Sequence, residues 1–366
     1  MTPRRAAVAA AIVAVLAVVA SVVAVQFAHK PGVLAAATGA PAAGVLAADR
    51  SQSAPELVGV KDFDNTAPVT LAGLRAQHKV VLVDFWTYTC INCRRTFPFL
   101  RALSTTYAGA GLTVLGVHSP EFGFEKDHGN VAKAVQRLGV TWPVAEDPEM
   151  ATWNAFGNQY WPADYLIDTT GKVRYAHFGE GGDDQVEAAV RSVLAEDGRR
   201  VGARIGQVVQ LESPGSDLTP ETYFGAERGA RYVVGGKAVP AGRTLVRRDR
   251  LAGRDLLALL GTVTGEAESL QLGAGASVTQ RFHAKDVYAT AAPAGGPVTV
   301  EVTLDGRPVS PARRGSALRE VGGRTVVTIG RDDLYPLLTG PAVGDGILRL
   351  TARSAGARLF TFTYGG

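Results

Sequence analysis

Apolar positions along the chain fall into three regimes. The first is an uncharged run from Ala6 to Ala28, built of Ala, Val, Ile, Leu and Phe, broken only by Ser21 and Gln26 and preceded by Arg4 and Arg5. A hydrocarbon core of ~30 Å needs about 20 apolar residues, whereas the apolar part of a cleavable signal is about 7–15 residues long. Residues 1–30 are therefore expected to form a single-pass signal anchor in the cell membrane. Basic residues stay cytoplasmic, which puts the chain beyond His29 on the extracytoplasmic side. The alternative is a secreted product, cleaved at one of the small-x-small sites between Leu34 and Ala48. The Ala, Gly, Pro and Ser-rich stretch over 31–55 reads as a flexible tether.

The second regime begins near Val58. Val80 to Trp86 is an almost continuous run of β-branched, aliphatic and aromatic residues, the pattern of a strand covered on both faces. After a loop at Thr87–Thr89, Phe97, Leu100 and Leu103 recur at helical spacing, which predicts a helix starting at Cys90. Leu112–Val117 then reads as a strand, His128–Leu138 as an amphipathic helix, Trp142–Ala145 as a short strand, and Pro148–Phe156 and Asp183–Leu194 as helices. Such alternation predicts an α/β domain over 56–198, a central mixed sheet flanked by helices.

Beyond the linker Asp197-Gly198-Arg199-Arg200 the period changes to two. Val298–Leu304 alternates strictly and ends at Asp305-Gly306, a hairpin signal. Ser277–Ala284, Val287–Ala291, Thr325–Ile329, Gly346–Ala352 and Arg358–Thr363 are further strands. Short strands at this spacing predict an all-β sandwich, jelly-roll-like, over 205–366.

Charge adds little. Lys and Arg number 38 against 34 Asp and Glu, and the excess of +4 is spread over arginines rather than gathered in a patch, which argues against nucleic acid. The first half carries no phosphate-cradling glycine motif.

The cysteines change the picture. Cys90 and Cys93 enclose Ile91 and Asn92, and the chain has no others. A zinc site needs about four N or S ligands, and the histidines show no paired short spacing; haem attachment needs His where Arg94 stands. No metal and no other cofactor is expected: the cysteine pair is itself the redox centre. Unpaired N–H groups and the dipole at a helix N-terminus favour a thiolate, so Cys90 is expected to be the nucleophile. The spacing puts Cys93 one turn in, where it can resolve a mixed disulfide. A buried structural pair is the alternative.

Asp84-Phe85-Trp86 followed by Cys90 resembles the thioredoxin signature. Trp161-Pro162-Ala163-Asp164-Tyr165-Leu166-Ile167-Asp168, leading into Thr169-Thr170-Gly171-Lys172-Val173, resembles the cis-proline loop and hairpin of that superfamily. The order of elements is similar to its TlpA/ResA branch. Trp86-Thr87-Tyr88-Thr89-Cys90-Ile91-Asn92-Cys93 with Phe97-Pro98 is closer to the extracytoplasmic thioredoxin-like part of DipZ-type proteins. Pro220–Gly225, Phe282–Tyr288 and Phe360–Gly365 resemble the C-terminal β-domain of the same proteins, which is similar to carbohydrate-binding modules. Asn92 departs from the proline usual before the second cysteine of the TlpA/ResA type and leaves the direction of electron flow open.

The resemblance implies roles for individual residues. Asp84 would be the buried proton relay for Cys93, the alternative being a strand-end acid satisfied by backbone donors. Pro162 would face the cysteines and leave the Trp161 backbone free to bind an extended substrate, the alternative being an ordinary edge-strand proline. Trp86 would be active-site packing that touches substrate, or plain core. His118 and Glu121, at the C-terminal end of a strand where such folds place ligands, are supporting candidates.

These readings converge on a protein thiol-disulfide oxidoreductase acting on exported protein thiols or disulfides in cell redox homeostasis, recharged by a separate membrane electron donor or acceptor. A thiol peroxidase is one alternative, although the Pro-x-x-x-Thr/Ser-x-x-Cys context it would want is missing before Cys90. The other is a cell-wall glycan or protein binding module with a vestigial redox domain, for which Tyr223, Tyr232, Tyr288 and Tyr335 are the candidate platforms.

Overall fold

The computed structural model describes residues 45–206 and 217–366. The expected anchor over 1–30 and the tether up to residue 44 lie outside the described residues. Among the described residues no helix is long and apolar enough to cross a membrane.

The first unit runs β1 (Asp62–Asp64), α1 (Leu71–Ala76), β2 (Val80–Trp86), α2 (Ile91–Tyr107), β3 (Leu112–His118), α3 (His128–Leu138), β4 (Val144–Glu146), α4 (Ala151–Ala155), β5 (Ala163–Ile167), β6 (Val173–Phe178) and α5 (Asp183–Glu196). Its six strands form one mixed sheet in the order β1-β4-β3-β2-β5-β6. β2, β3 and β4 are parallel neighbours, while β5 and β6 return antiparallel beside β2. Strand alternation divides β2 between two cores. Val80, Leu82 and Trp86 pack with Cys93, Phe97, Leu100 and Leu103 of α2, while Val81, Val83 and Phe85 pack with Leu71 and Leu74 of α1. Asp84 lies between Leu82 and Trp86 on the α2 face.

Local signals explain where elements hold or shift. α3 begins at its expected residue because Asp127 accepts the Asn130 N–H at 2.9 Å, and ends where Gly139 takes a left-handed φ of 63°. β4 starts at Val144 rather than Trp142, since the Trp142 ring packs into the core 5.5 Å from Phe97 and Pro143 has no N–H to give a ladder. α4 is shorter than the expected 148–156, because Asp147 turns its carboxylate onto the N–H groups of Ala151, Thr152 and Trp153 at 2.7, 3.1 and 2.8 Å and starts the helix there.

The tether reading needs correction at its C-terminal end. Leu46 N–H bonds Arg174 O at 2.8 Å, Ala54 N–H bonds Gly171 O at 2.9 Å, and Val173 N–H bonds Gln52 O at 2.9 Å. Residues 46–54 are thus a strap laid along the β5–β6 hairpin, held by backbone polarity that composition does not reveal.

The second unit comprises β7 (Thr222–Tyr223), β8 (Thr244–Arg248), β9 (Leu257–Gly265), β10 (Leu270–Leu272), β11 (Ser277–Ala284), β12 (Asp286–Pro293), β13 (Val298–Leu304), β14 (Arg307–Pro308), β15 (Leu318–Val321), β16 (Arg324–Ile329), β17 (Asp333–Leu338), β18 (Gly344–Ala352) and β19 (Ala357–Gly365). Where two separate sheets were expected, hydrogen bonds link all 13 strands in one sheet with the central path β15-β16-β13-β18-β11-β9-β10-β19-β12-β17. The sheet curls over: Val300 and Leu348 from one half share a core with Leu337 and Phe362 from the other. β10 joins both halves by pairing with β9 and β19, which removes the open edges a sandwich would leave there.

Candidate active site

Cys90 is the N-cap residue of α2, with φ −74° and ψ 115°, and its Sγ accepts the Cys93 N–H at 3.2 Å. Helix geometry separates the two thiols by environment: Cys90 is half-buried, while Cys93 is wholly enclosed. Both are free. Burial pushes the Cys93 thiol up, and the adjacent Cys90 and Asp84 add to it. A half-buried sulfur thus stands at the helix N-terminus, and a covered one follows a turn further in.

The peptide bond Trp161–Pro162 is cis, and the Trp161 carbonyl oxygen lies 3.9 Å from Cys90 Sγ. The Trp161 ring is turned the other way, donating Nε1–H to Ser119 O at 3.0 Å and lying 4.2 Å from the Trp153 ring. What Trp161 offers beside the sulfur is its backbone.

Asp84 is buried on the same face as Cys93, and no donor reaches its Oδ2. Burial raises its pKa well above the carboxylate range, and the neighbouring Asp164 raises it further. Trp86 requires a correction as a substrate contact. It is fully enclosed, edge-on to Phe97 and His118 at 5.3 and 5.0 Å, and supports the loop from beneath.

The loop before Cys90 is held by residues that no motif announced. Buried Glu125 accepts the Thr89 N–H at 3.2 Å and the Thr89 hydroxyl at 2.6 Å, together with the N–H groups of Glu121 and Phe122 at 2.8 and 3.0 Å. His118 stacks on Tyr88 at 5.7 Å and receives its N–H at 3.3 Å. Burial lowers its pKa to about 3, so the ring is a neutral acceptor. Glu121 points away from the cysteines, accepting from the Tyr223 hydroxyl and from Arg228, both at 2.9 Å.

The β-domain closes on this loop. Arg94 donates Nε–H to the Tyr88 carbonyl at 2.7 Å and pairs with Asp333, which also holds Arg137 at 3.1 Å and Arg331 at 2.8 Å. Arg95 meets Glu180 at 3.3 Å and Asp286 at 3.9 Å, and lies 5.7 Å from the Tyr288 ring centre. Phe360 packs edge-on against Phe122 and Phe124 at 5.2 and 4.8 Å. Spacing within one segment holds no trace of the contacts between domains, because their partners lie far apart in the chain.

The four tyrosines considered as sugar platforms have other partners. Tyr232 and Tyr335 are buried. Arg228 lies 3.9 Å over the Tyr223 ring, and Tyr288 faces Arg95. A group of possible metal ligands, Asp62 of β1, Glu146 of β4 and His128 at the start of α3, lies on the side of the sheet that β3 separates from β2. There His128 Nδ1 and Glu146 Oε1 are in hydrogen-bond contact at 2.7 Å.

Comparison with known proteins agrees with this arrangement. Residues 46–194 match the family model described as Redoxin, and residues 219–365 match that of a thioredoxin like C-terminal domain. Protein DipZ of Mycobacterium tuberculosis is 36% identical over 321 residues, 86% of this chain and 43% of that protein. The thiol-disulfide oxidoreductase YkuV of Bacillus subtilis is 33% identical over 145 residues, covering 40% of this chain and 96% of YkuV. ResA of Geobacillus thermodenitrificans, also a thiol-disulfide oxidoreductase, is 30% identical over 115 residues, 31% of this chain and 63% of ResA. The chain spans less than half the length of the DipZ relative.

Proposed function

We propose, because this chain belongs to the family of thioredoxin-like thiol-disulfide oxidoreductases, that it exchanges disulfides in exported proteins through Cys90 and Cys93. The observation that carries the reading is the pairing of a reachable Cys90 at a helix N-terminus with an enclosed Cys93 beside a buried acid.

In the reducing direction, the Cys90 thiolate attacks a substrate disulfide and forms a mixed disulfide, releasing the first substrate sulfur as a thiolate. Cys93 then gives its proton to Asp84 and attacks Cys90 Sγ. The Cys90–substrate bond breaks, the second substrate sulfur leaves as a thiolate, and Cys90 and Cys93 are left as a disulfide. Two electrons pass from the enzyme dithiol to the substrate. The Trp161 backbone beside Cys90 supplies hydrogen-bonding groups for an extended substrate chain, and Pro162 holds that segment. The cysteine pair is the whole redox centre, and a separate membrane donor or acceptor resets it. The N-terminal run of apolar residues supports a site of action on the extracytoplasmic face of the membrane.

The test is reduction of insulin disulfides by the full chain in detergent, with dithiothreitol as electron source. Turnover that requires both Cys90 and Cys93 supports the reading; an unchanged rate in the Cys90→Ala protein refutes it.

A further inference from the structure

We propose that Asp164 and His177 are positioning residues of a proton path for the resolving thiol, Asp164 adjoining Asp84, which takes the Cys93 proton, and His177 passing protons to the edge of the sheet. The proposal rests on Asp84 being the acceptor of the Cys93 proton.

The strand register carries it. Asp84 of β2 stands opposite Asp164 of β5, and Asp164 stands opposite His177 of β6. Residues opposite one another in antiparallel strands share a face, with Cβ atoms about 4.5–5.5 Å apart. The three side chains therefore form one row, starting beneath Cys93 and ending on the edge strand β6. Asp84 and Asp164 are both at least nine-tenths buried, and each member of the row keeps a buried polar atom without a partner: Asp84 Oδ2, Asp164 Oδ1 and His177 Nε2. Packing alone gives no reason to hold two unpaired acids side by side, since each costs desolvation that no donor offsets.

The outer end of the row is equally specific. Gly182, which opens α5, lies so close to the imidazole that a Cβ there would stand 2.4 Å from His177 Cε1. Asp183 follows, half-buried, with the exposed Asp184 behind it. Tyr175, two residues before His177 on the same face of β6, also adjoins Asp164, and Cys93 from α2 adjoins Asp84. Burial and then Asp183 raise Asp164 to about 7. Two adjacent carboxyls in such a site cannot both ionise readily, so the charge of Asp164 strengthens the hold of Asp84 on a proton.

The step balances simply. The Cys93 S–H bond breaks and its proton goes to the Asp84 carboxylate. The thiolate electron pair forms the bond to Cys90 Sγ, and the substrate thiolate departs with the electrons of the broken S–S bond. The acid pair must be unprotonated to take this proton, so its earlier proton is lost beforehand through His177, and no further oxidant or reductant is consumed.

The experiment follows the full chain, in detergent, reacting in the reduced state with dithionitrobenzoate by stopped flow. The first coloured thiolate released reports attack by Cys90, and the second reports attack by Cys93 on the Cys90 adduct. Asp84→Asn should slow the second release on the order of 100-fold and leave the first unchanged. Asp164→Asn should move the pH midpoint of the second release to lower values, because Asp84 then ionises without a competing carboxyl, and Asp164→Glu should restore it. His177→Ala should slow the second release, with added imidazole recovering the rate. A normal second release in Asp84→Asn would defeat the relay reading itself. A slowed Asp84→Asn together with an unmoved midpoint in Asp164→Asn would defeat only this proposal, as would an imidazole-independent His177→Ala.

Discussion

Half-buried Arg94 of the redox helix and buried Asp333 of the β-domain form an ion pair although 239 positions separate them in sequence. The same guanidinium holds the Tyr88 carbonyl, two residues before Cys90. A carboxylate of the second domain therefore sets the position of the active-site loop in the first.

Removing that carboxylate should be costly. Asp333→Ala takes the carboxylate from half-buried Arg94 and from Arg137, and losing a charged hydrogen-bond partner costs about 1–3 kcal/mol. Arg331→Ala, which removes an exposed partner of Asp333, should cost at most about 1 kcal/mol. Urea unfolding of the two variants measures the difference, and equal losses would contradict the assigned hierarchy.

The pair also has a pH signature. Burial opposes ionisation of Asp333, but Arg94 and Arg137 outweigh it and hold the carboxyl below its ordinary value. A folded value below the unfolded one means the contribution is complete above about pH 4 and is lost as pH falls through the folded value. Stability of the wild type should therefore fall more steeply below about pH 4 than that of Asp333→Asn. Parallel acid curves for the two proteins would count against it.

Glu125 faces only donors: two from Thr89 and the N–H groups of Glu121 and Phe122. Glu125→Gln introduces an amide NH₂ among them and should cost about 1–3 kcal/mol. Amide hydrogen exchange at Thr89 and Phe122 should accelerate in the variant, and protection equal to wild type would show that the loop has other supports.

The two thiols should be distinguishable by trapping. Cys93→Ala keeps the reachable nucleophile without its resolving partner, so dithiothreitol-sensitive complexes with substrate proteins should accumulate on non-reducing gels. Cys90→Ala should give none, because Cys93 is enclosed. Traps formed by Cys90→Ala alone would reverse the assignment of nucleophile.

Topology is testable on intact cells. The chain should resist carbonate extraction, and a membrane-impermeant thiol reagent should reach Cys90 after mild reduction. Labelling that requires lysis would place the site on the cytoplasmic side.

Much of this molecule is written in local patterns. Unbroken apolarity over Val80–Trp86, helical spacing with a cap over His128–Leu138, and period-two alternation over Ser277–Ala284 and Val298–Leu304 are visible without any partner, and the structure has these elements at those residues. Cys90 at the start of a helix was legible for the same reason: the strand, loop and helix that place it are contiguous. Asp164 beside Asp84, Glu125 beneath Thr89 and Asp333 on Arg94 were not, and neither were the strap over 46–54 nor the curling of the β-domain into one sheet. Those relationships depend on strand register and on domain docking. Both are settled by the summed packing of distant segments, and periodicity within one segment holds no information about which rung of another segment it will face.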